Sequence, residues 1–280
     1  MAPDAFFLQV ADGQRFCLFH RPEGNAEPRA ALVFIHPFAE EMNKSRRMAA
    51  LQARALAATG CAVLQIDLHG CGDSSGDFGD ATWESWTADV LAACAWLRGH
   101  SAAPLWLWGL RAGCLLAVDA AARLNEPVNF LFWHPVQSGK QFLQQFLRLK
   151  MAGELLGGDG KAGAVSTELA RQQLAQGEAV EVAGYLVSPG LAAGLERAEL
   201  APPVKPCRAE WLEMSAKTDA VLTPVAARRL EQWQAAGHRA RGAVVTGPSF
   251  WMTLEIAESP ALLDATATVL ALMSAEGATP

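Results

Sequence analysis

The chain has 280 residues, 51% hydrophobic and 19% charged, a balance that fits a globular protein with one large domain or a core carrying an insertion. Its formal net charge of −6 comes with no sustained basic block, which argues against nucleic acid as a partner, and the short run Asn43-Lys44-Ser45-Arg46-Arg47 reads as a solvated helix face. No window approaches ~20 uninterrupted apolar residues and the N-terminus lacks the basic start and apolar stretch of a secretory signal, so the expectation is no membrane span and a cytoplasmic location.

The opening stretch, DAFFLQVADGQRFCLFHRP, reads as an antiparallel hairpin around Asp12-Gly13. RAALVFIHPF is a short apolar run ending at His36-Pro37, and CAVLQIDLHGCGDSSG is a second one ending in a glycine-rich loop. Between them NKSRRMAALQARALAATG has helical spacing and closes on Gly60, so the unit is strand, helix, strand. TWESWTADVLAACAWLRG, PLWLWG, AGCLLAVDAAARL and VNFLFWHPV continue as helix, strand, helix, strand. Alternation at these lengths implies parallel strands with helical crossovers on both faces of one sheet.

After Pro135 the pattern changes to amphipathic helices, KQFLQQFLRLKMAGELLG and STELARQQLAQG, separated by GGDGKAGA. Strand alternation resumes at AEWLEMSAKTDAVLTP, after the breaker PPVKPC. The domain reading is a sheet core over 1–136 and 206–280, with a helical cap over 137–205.

The stretch LWLWGLRAGCLLAVDAA carries the strongest chemical signal. A strand, a tight turn with Gly109 and Gly113, and a helix match the G-x-S-x-G nucleophile elbow, except that Arg111 stands where serine would be. Gly72-Asp73-Ser74-Ser75-Gly76 also satisfies the formula, but Ser74 lies in a loop well past its strand with no helix directly behind it.

This order of motifs resembles the α/β-hydrolase superfamily, which implies a mostly parallel central sheet with helices on both faces and an inserted helical cap. The resemblance assigns Phe38 and Ala112 as amide donors of an oxyanion hole, with Pro37 standing where a glycine is usual. It places the triad acid at Asp219 and the triad histidine where Gly247-Pro248-Ser249-Phe250 now carries Ser249. His238 precedes the last strand and so belongs to the opposite edge of the sheet. The nucleophile and the general base are therefore both absent by residue type, since arginine stays protonated and only donates.

FAEEMNKSRRM, DLHGCGDSSGDF, WGLRAG and GPSFW together resemble one branch, the exosortase A system-associated hydrolases of type 2, found beside PEP-CTERM and exopolysaccharide loci in bacteria. The resemblance implies a hydrolase label and an arginine at the elbow as a feature of the branch.

A cation at a helix start calls for an anion, and the candidates are Asp219, Glu40, Glu41 or an external ligand. In one reading Arg111 grips a carboxylate, phosphate or acidic sugar in a cleft at the strand ends, beside Glu40, Glu41 and His69, with His36 or His134 as base. In the other, an Arg111–Asp219 ion pair plugs a retired site. The partner is then a small, anionic ester, thioester or acyl-type molecule that is turned over, or one that is only bound, or a protein of the same pathway; a homodimer is compatible with either.

Cys71 and Cys114 are weighed as substitute nucleophiles and read as packed thiols. The six cysteines, 17, 61, 71, 94, 114 and 207, show no metal-ligand spacing, so neither a metal nor a cofactor is expected. Of the nine tryptophans most belong to the core, with Trp83, Trp133 and Trp251 as candidates for stacking on a sugar.

Overall fold

A computed structural model describes residues 2–24, 27–155 and 162–276. Asp4–Val10 (β1) and Gly13–His20 (β2) pair antiparallel, with Gly13 at φ 130° supplying the turn. Ala31–Ile35 (β3), Glu40–Ala58 (α1) and Ala62–Ile66 (β4) form the first crossover unit. Trp83–Arg98 (α2), Leu105–Leu110 (β5), Gly113–Arg123 (α3) and Asn129–Trp133 (β6) extend it. Arg208–Ser215 (β9), Pro224–Ala235 (α7), Arg239–Thr246 (β10) and Pro260–Glu276 (α8) complete the sheet unit.

The eight strands run in the order β1-β2-β4-β3-β5-β6-β9-β10. β2 meets β4 antiparallel, and every pairing from β4 to β10 is parallel. Burial explains why the strands carry apolar residues on both sides. Ala31, Val33 and Ile35 pack into the cluster that includes Val90 and Leu97 of α2 and Leu115 and Leu116 of α3. Leu32 and Phe34 pack instead with Met48 and Leu56 of α1 and Leu262 and Leu270 of α8. A sheet covered on both faces needs two apolar sides, which is what continuous runs such as ALVFI provide.

α1 starts at Glu40, three residues before the helical spacing suggested, because Ala39 at φ 52° turns the chain directly out of the loop after β3. Its first turn carries Glu40 and Glu41, both favoured by the positive end of the helix dipole.

Between β6 and β9 the chain carries the two expected helices, Gly139–Leu155 (α4) and Ala162–Ala175 (α5). The stretch 157–161 of the glycine-rich separator lies outside the described residues. Three further elements were not read from the sequence: Val180–Val182 (β7), Tyr185–Val187 (β8) and Pro189–Arg197 (α6). The hairpin turns on Ala183 and Gly184, both left-handed, and Ser188 caps α6 by accepting the Leu191 N–H, with Pro189 at the first helical position. This segment packs on the sheet unit through aromatic contacts: Phe142 and Phe146 of α4 lie 5.8 and 5.0 Å from Phe38, and Tyr185 lies 5.0 Å from Phe78.

Candidate active site at the strand ends

β5 delivers Leu110 to the carboxyl edge of the sheet, and the chain reverses at Arg111 into α3. The turn is tight enough to require its glycines. A Cβ on Gly109 would lie 2.7 Å from the Cys114 backbone, and one on Gly113 would lie 2.4 Å from the Ile35 carbonyl oxygen. Arg111 itself sits at φ 56°, a left-handed conformation that costs a side-chain-bearing residue on the order of 1–3 kcal/mol. The surroundings hold it there: its N–H donates to the Trp133 carbonyl at 3.0 Å, and its own carbonyl accepts from Cys114 at 3.1 Å and Val136 at 3.3 Å. Ala39 and His134, at φ 52° and 43°, are strained at the same edge.

The Arg111 side chain points into a closed environment. Its Nε lies 3.3 Å from Glu41 Oε1, with the two side chains only 16% and 19% exposed. Its guanidinium carbon lies 5.4 Å from the Trp251 ring centroid and 5.8 Å from that of Phe142. Nη1 and Nη2 have no acceptor among the described residues. Glu41 Oε2 is buried without a hydrogen-bond partner among the described residues. Burial raises the Glu41 carboxyl above the ordinary glutamate value, against the opposing pull of the Arg111 charge.

The Arg111–Asp219 ion pair, one of the two alternatives read from the sequence, does not form. Asp219 is exposed and has no ion-pair partner among the described residues. The reason is local: Thr223 N–H ties the end of the loop after β9 back to the Glu213 carboxylate at 3.4 Å, whereas Glu41 N–H donates to the Phe38 carbonyl and sets the first turn of α1 against the elbow. Glu40 faces away from Arg111. Its Oε2 accepts from Tyr185 Oη at 3.0 Å and from Asn43 Nδ2 at 2.9 Å, which fastens α1 to the β7–β8 hairpin.

Neither candidate base has a nitrogen lone pair to spare. His36 Nε2 accepts the Leu68 N–H at 3.2 Å, so Nδ1 carries the proton and donates to the Pro37 carbonyl at 2.8 Å. His134 Nδ1 accepts the Met214 N–H at 3.0 Å, leaving Nε2 as a donor, and its ring lies 4.7 Å from Trp251. Burial, and then the charge of Arg111, push His134 down to about 4; burial also lowers His36. Ser249 is half-buried in the loop after β10, with its carbonyl accepting from Met252 N–H at 2.8 Å.

The two amides expected to form an oxyanion hole are not taken up by the fold. Neither Phe38 N–H nor Ala112 N–H has an acceptor among the described residues, and the contact of Gly113 with Ile35 and His36 sets the start of α3 against the loop that carries Phe38.

Other candidates are taken up by the fold. Ser74 Oγ donates to the Asp67 carbonyl at 2.6 Å and accepts from Phe16 N–H at 2.9 Å, which fixes the glycine-rich loop to β2. His69, expected in the cleft, turns toward the first hairpin: its Nδ1 lies 3.4 Å from Asp12 Oδ2 and its N–H donates to Asp89 at 2.7 Å. Cys71 and Cys114 are buried, and burial raises both thiols far from the thiolate state a nucleophile needs. Trp133 is a fully buried core residue whose Nε1 donates to Thr266 at 2.9 Å, and Trp83 donates to Asp119 at 2.6 Å. His238 lies before β10 with its Nδ1 3.4 Å from Cys207 Sγ, a strand's length from the site. Phe142 is the site residue that sequence reasoning missed; its signal was only one apolar position in an amphipathic helix.

The strand order, the parallel register and the sharp strand-to-helix turn after β5 define an α/β-hydrolase fold. The family described as serine aminopeptidase, S33 matches residues 26–150. No curated protein sequence matches the chain. Among solved structures the chain is similar to Est1E from Butyrivibrio proteoclasticus bound to ferulic acid, at 17% identity and TM-score 0.64 over 97% of this chain and 98% of that one. It is also similar to a thermostable carboxyl esterase from Bacillus coagulans in complex with glycerol, at 13% identity and TM-score 0.62 over 98% and 99%. An α/β serine hydrolase without lid from Xanthomonas campestris matches at 16% identity and TM-score 0.58 over 100% and 98%. At these identities the likeness is one of fold, and the chemistry has to be argued from the site.

Proposed function

We propose that this protein hydrolyses an ester, thioester or acyl-type substrate bearing an anionic group, that Arg111 binds that group in place of a serine nucleophile, and that water is the attacking species. The observation that carries the reading is Arg111 itself. It is held in a left-handed conformation at the elbow, with Nε on Glu41 and both Nη atoms without an acceptor among the described residues. A planar fork with open donors suits a carboxylate or phosphate. The unengaged amides of Phe38 and Ala112 supply the second requirement, donors for the oxygen on which charge develops. That the similar structures include esterases, one of them bound to ferulic acid, supports an acyl substrate. The resemblance of four motifs to the exosortase-associated branch supports a place beside exopolysaccharide loci. A cytoplasmic working site and residues 137–205 as a cap over it, whose Phe142 and Phe146 pack on Phe38, belong to the same proposal.

A second reading is that the site binds an anionic metabolite without turning it over. It is favoured by the contact of Arg111 with Glu41 and by the rings of Phe142 and Trp251 on either hand. A turnover screen on short-chain 4-nitrophenyl esters and acyl thioesters, each with and without a terminal carboxylate, separates the two. Hydrolysis that favours the carboxylate-bearing members and is lost in Arg111→Ala supports the enzyme. Stabilisation by the carboxylate with no hydrolysis supports the binding protein.

A further inference from the structure

The site has a carboxyl group with no structural employment for one of its oxygens. Glu41 Oε1 faces Arg111, but Oε2 is buried with no hydrogen-bond partner among the described residues. Leaving a buried polar atom unpaired costs on the order of 1–3 kcal/mol, so its persistence points to a partner that arrives with the ligand. Glu41 is also three residues beyond Phe38 and bonded to it through Glu41 N–H to the Phe38 carbonyl at 3.2 Å, so it shares a rigid turn with one oxyanion-hole donor. The histidines that could compete for the role of base are occupied, His36 by Leu68 and Pro37, and His134 by Met214. The groups facing Glu41 are Arg111 from the elbow, and Phe142 and Trp251, which lie on Arg111 from α4 and the loop after β10.

From this geometry we infer that Glu41 is the general base of a direct hydrolysis, with Oε2 taking a proton from the attacking water. The inference rests on the hydrolytic reading above. The water oxygen forms a bond to the substrate carbonyl carbon as its O–H bond breaks and the proton passes to Oε2. The carbonyl π electrons move onto its oxygen, between Phe38 N–H and Ala112 N–H. Collapse reforms the carbonyl, breaks the bond to the leaving alkoxide or thiolate, and returns the proton from Glu41 to that leaving group. The sum is ester plus water giving acid plus alcohol or thiol, with Glu41 again a carboxylate. The Arg111 charge opposes the effect of burial on the Glu41 carboxyl and holds Oε1 in place. A base whose carboxyl is raised by burial is closer to matching neutral pH than an exposed glutamate.

The test compares the natural protein with Glu41→Gln and Glu41→Asp on the mono-4-nitrophenyl ester of adipic acid and on neutral 4-nitrophenyl butyrate, with adipate-induced thermal stabilisation as the binding readout. The expected result for Glu41→Gln is a kcat loss of about 100-fold or more with little change in KM and with adipate stabilisation retained, Glu41→Asp falling between. In the natural protein, kcat/KM on the neutral ester should rise with pH through one ionisation above the ordinary glutamate value of ~4.3, and that rise should be missing from Glu41→Gln. Full turnover by Glu41→Gln would overturn the base assignment alone and leave the hydrolytic reading standing. No turnover by the natural protein on either ester would overturn both. If Glu41→Gln does not fold, a flat pH profile of the natural protein from about pH 4 to 7 overturns the assignment on its own.

Discussion

Arg111 and Glu41 meet at 3.3 Å across the carboxyl edge of the sheet, one from the elbow after β5 and the other from the first turn of α1. The pair joins the strand-to-helix turn after β5 to the first turn of α1. It gives the elbow a fixed positive group flanked by two amide donors and a buried carboxyl.

Placing a serine at the elbow should not by itself create serine chemistry. His134 has Nδ1 committed to Met214 N–H and an Nε2 that only donates, so it offers the hydroxyl of Arg111→Ser no lone pair. Assayed on 4-nitrophenyl butyrate, Arg111→Ser should show no gain over the natural protein. A burst of nitrophenol from this variant would mean that Glu41, freed from Arg111, activates a serine placed at the elbow.

His134 should make the fold acid-sensitive. It is held near 4, below its unfolded value of ~6.5, so the folded state binds its proton less readily than the unfolded chain. The stability tied to its neutral form is complete above about pH 6.5 and is lost as pH falls toward 4, a change on the order of 3 kcal/mol. Asparagine can present an oxygen where Nδ1 sits and tolerates the φ of 43°. Urea titrations from pH 4 to 7 should therefore show a shallower loss of stability for His134→Asn than for the natural protein, with His36 contributing part of what remains.

The elbow should not accept a methyl group at its second glycine. Gly113→Ala places a Cβ 2.4 Å from the Ile35 carbonyl oxygen, a backbone atom that cannot move without moving β3. A loss of about 1–3 kcal/mol by chemical denaturation is expected. A neutral effect would mean that α3 can shift away from β3, and that the two amides are not rigidly set.

Beneath the glycine-rich loop, Arg15 is fully buried and its Nε meets Asp89 Oδ1 at 2.7 Å, with Asp89 only 3% exposed. Arg15→Met should cost about 3–5 kcal/mol by leaving that carboxyl buried beside the His69 amide alone. Arg15→Met with Asp89→Leu should recover most of the loss, which a double-mutant cycle measures directly.

Much of this architecture was legible in the sequence because apolar runs such as ALVFI and LWLWGL are bounded by turn residues, and the intervening segments keep helical spacing. The elbow was legible for a stronger reason. Gly109 and Gly113 are demanded by contacts below 3 Å, so the turn leaves its mark on the sequence whatever residue stands at 111. The partner of Arg111 was not legible: Glu41 and Asp219 both fitted the charge requirement, and only the three-dimensional course of the loops after β3 and β9 decides between them. The hairpin of β7 and β8 escaped notice because three-residue strands carry too little alternation, and the Ser188-Pro189 cap of α6 was passed over because the helix behind it is only nine residues long.

The central claim is that Arg111 is an anchor for an external anion. Calorimetric titration with monomethyl succinate, a stable ester carrying one carboxylate, tests it most directly in the natural protein, Arg111→Ala and Arg111→Lys. Saturable binding in the natural protein, weakened at least about tenfold in Arg111→Ala and less in Arg111→Lys, is the expected result. Equal binding by all three, or none by the natural protein, would contradict it and leave the Arg111–Glu41 pair as a structural plug.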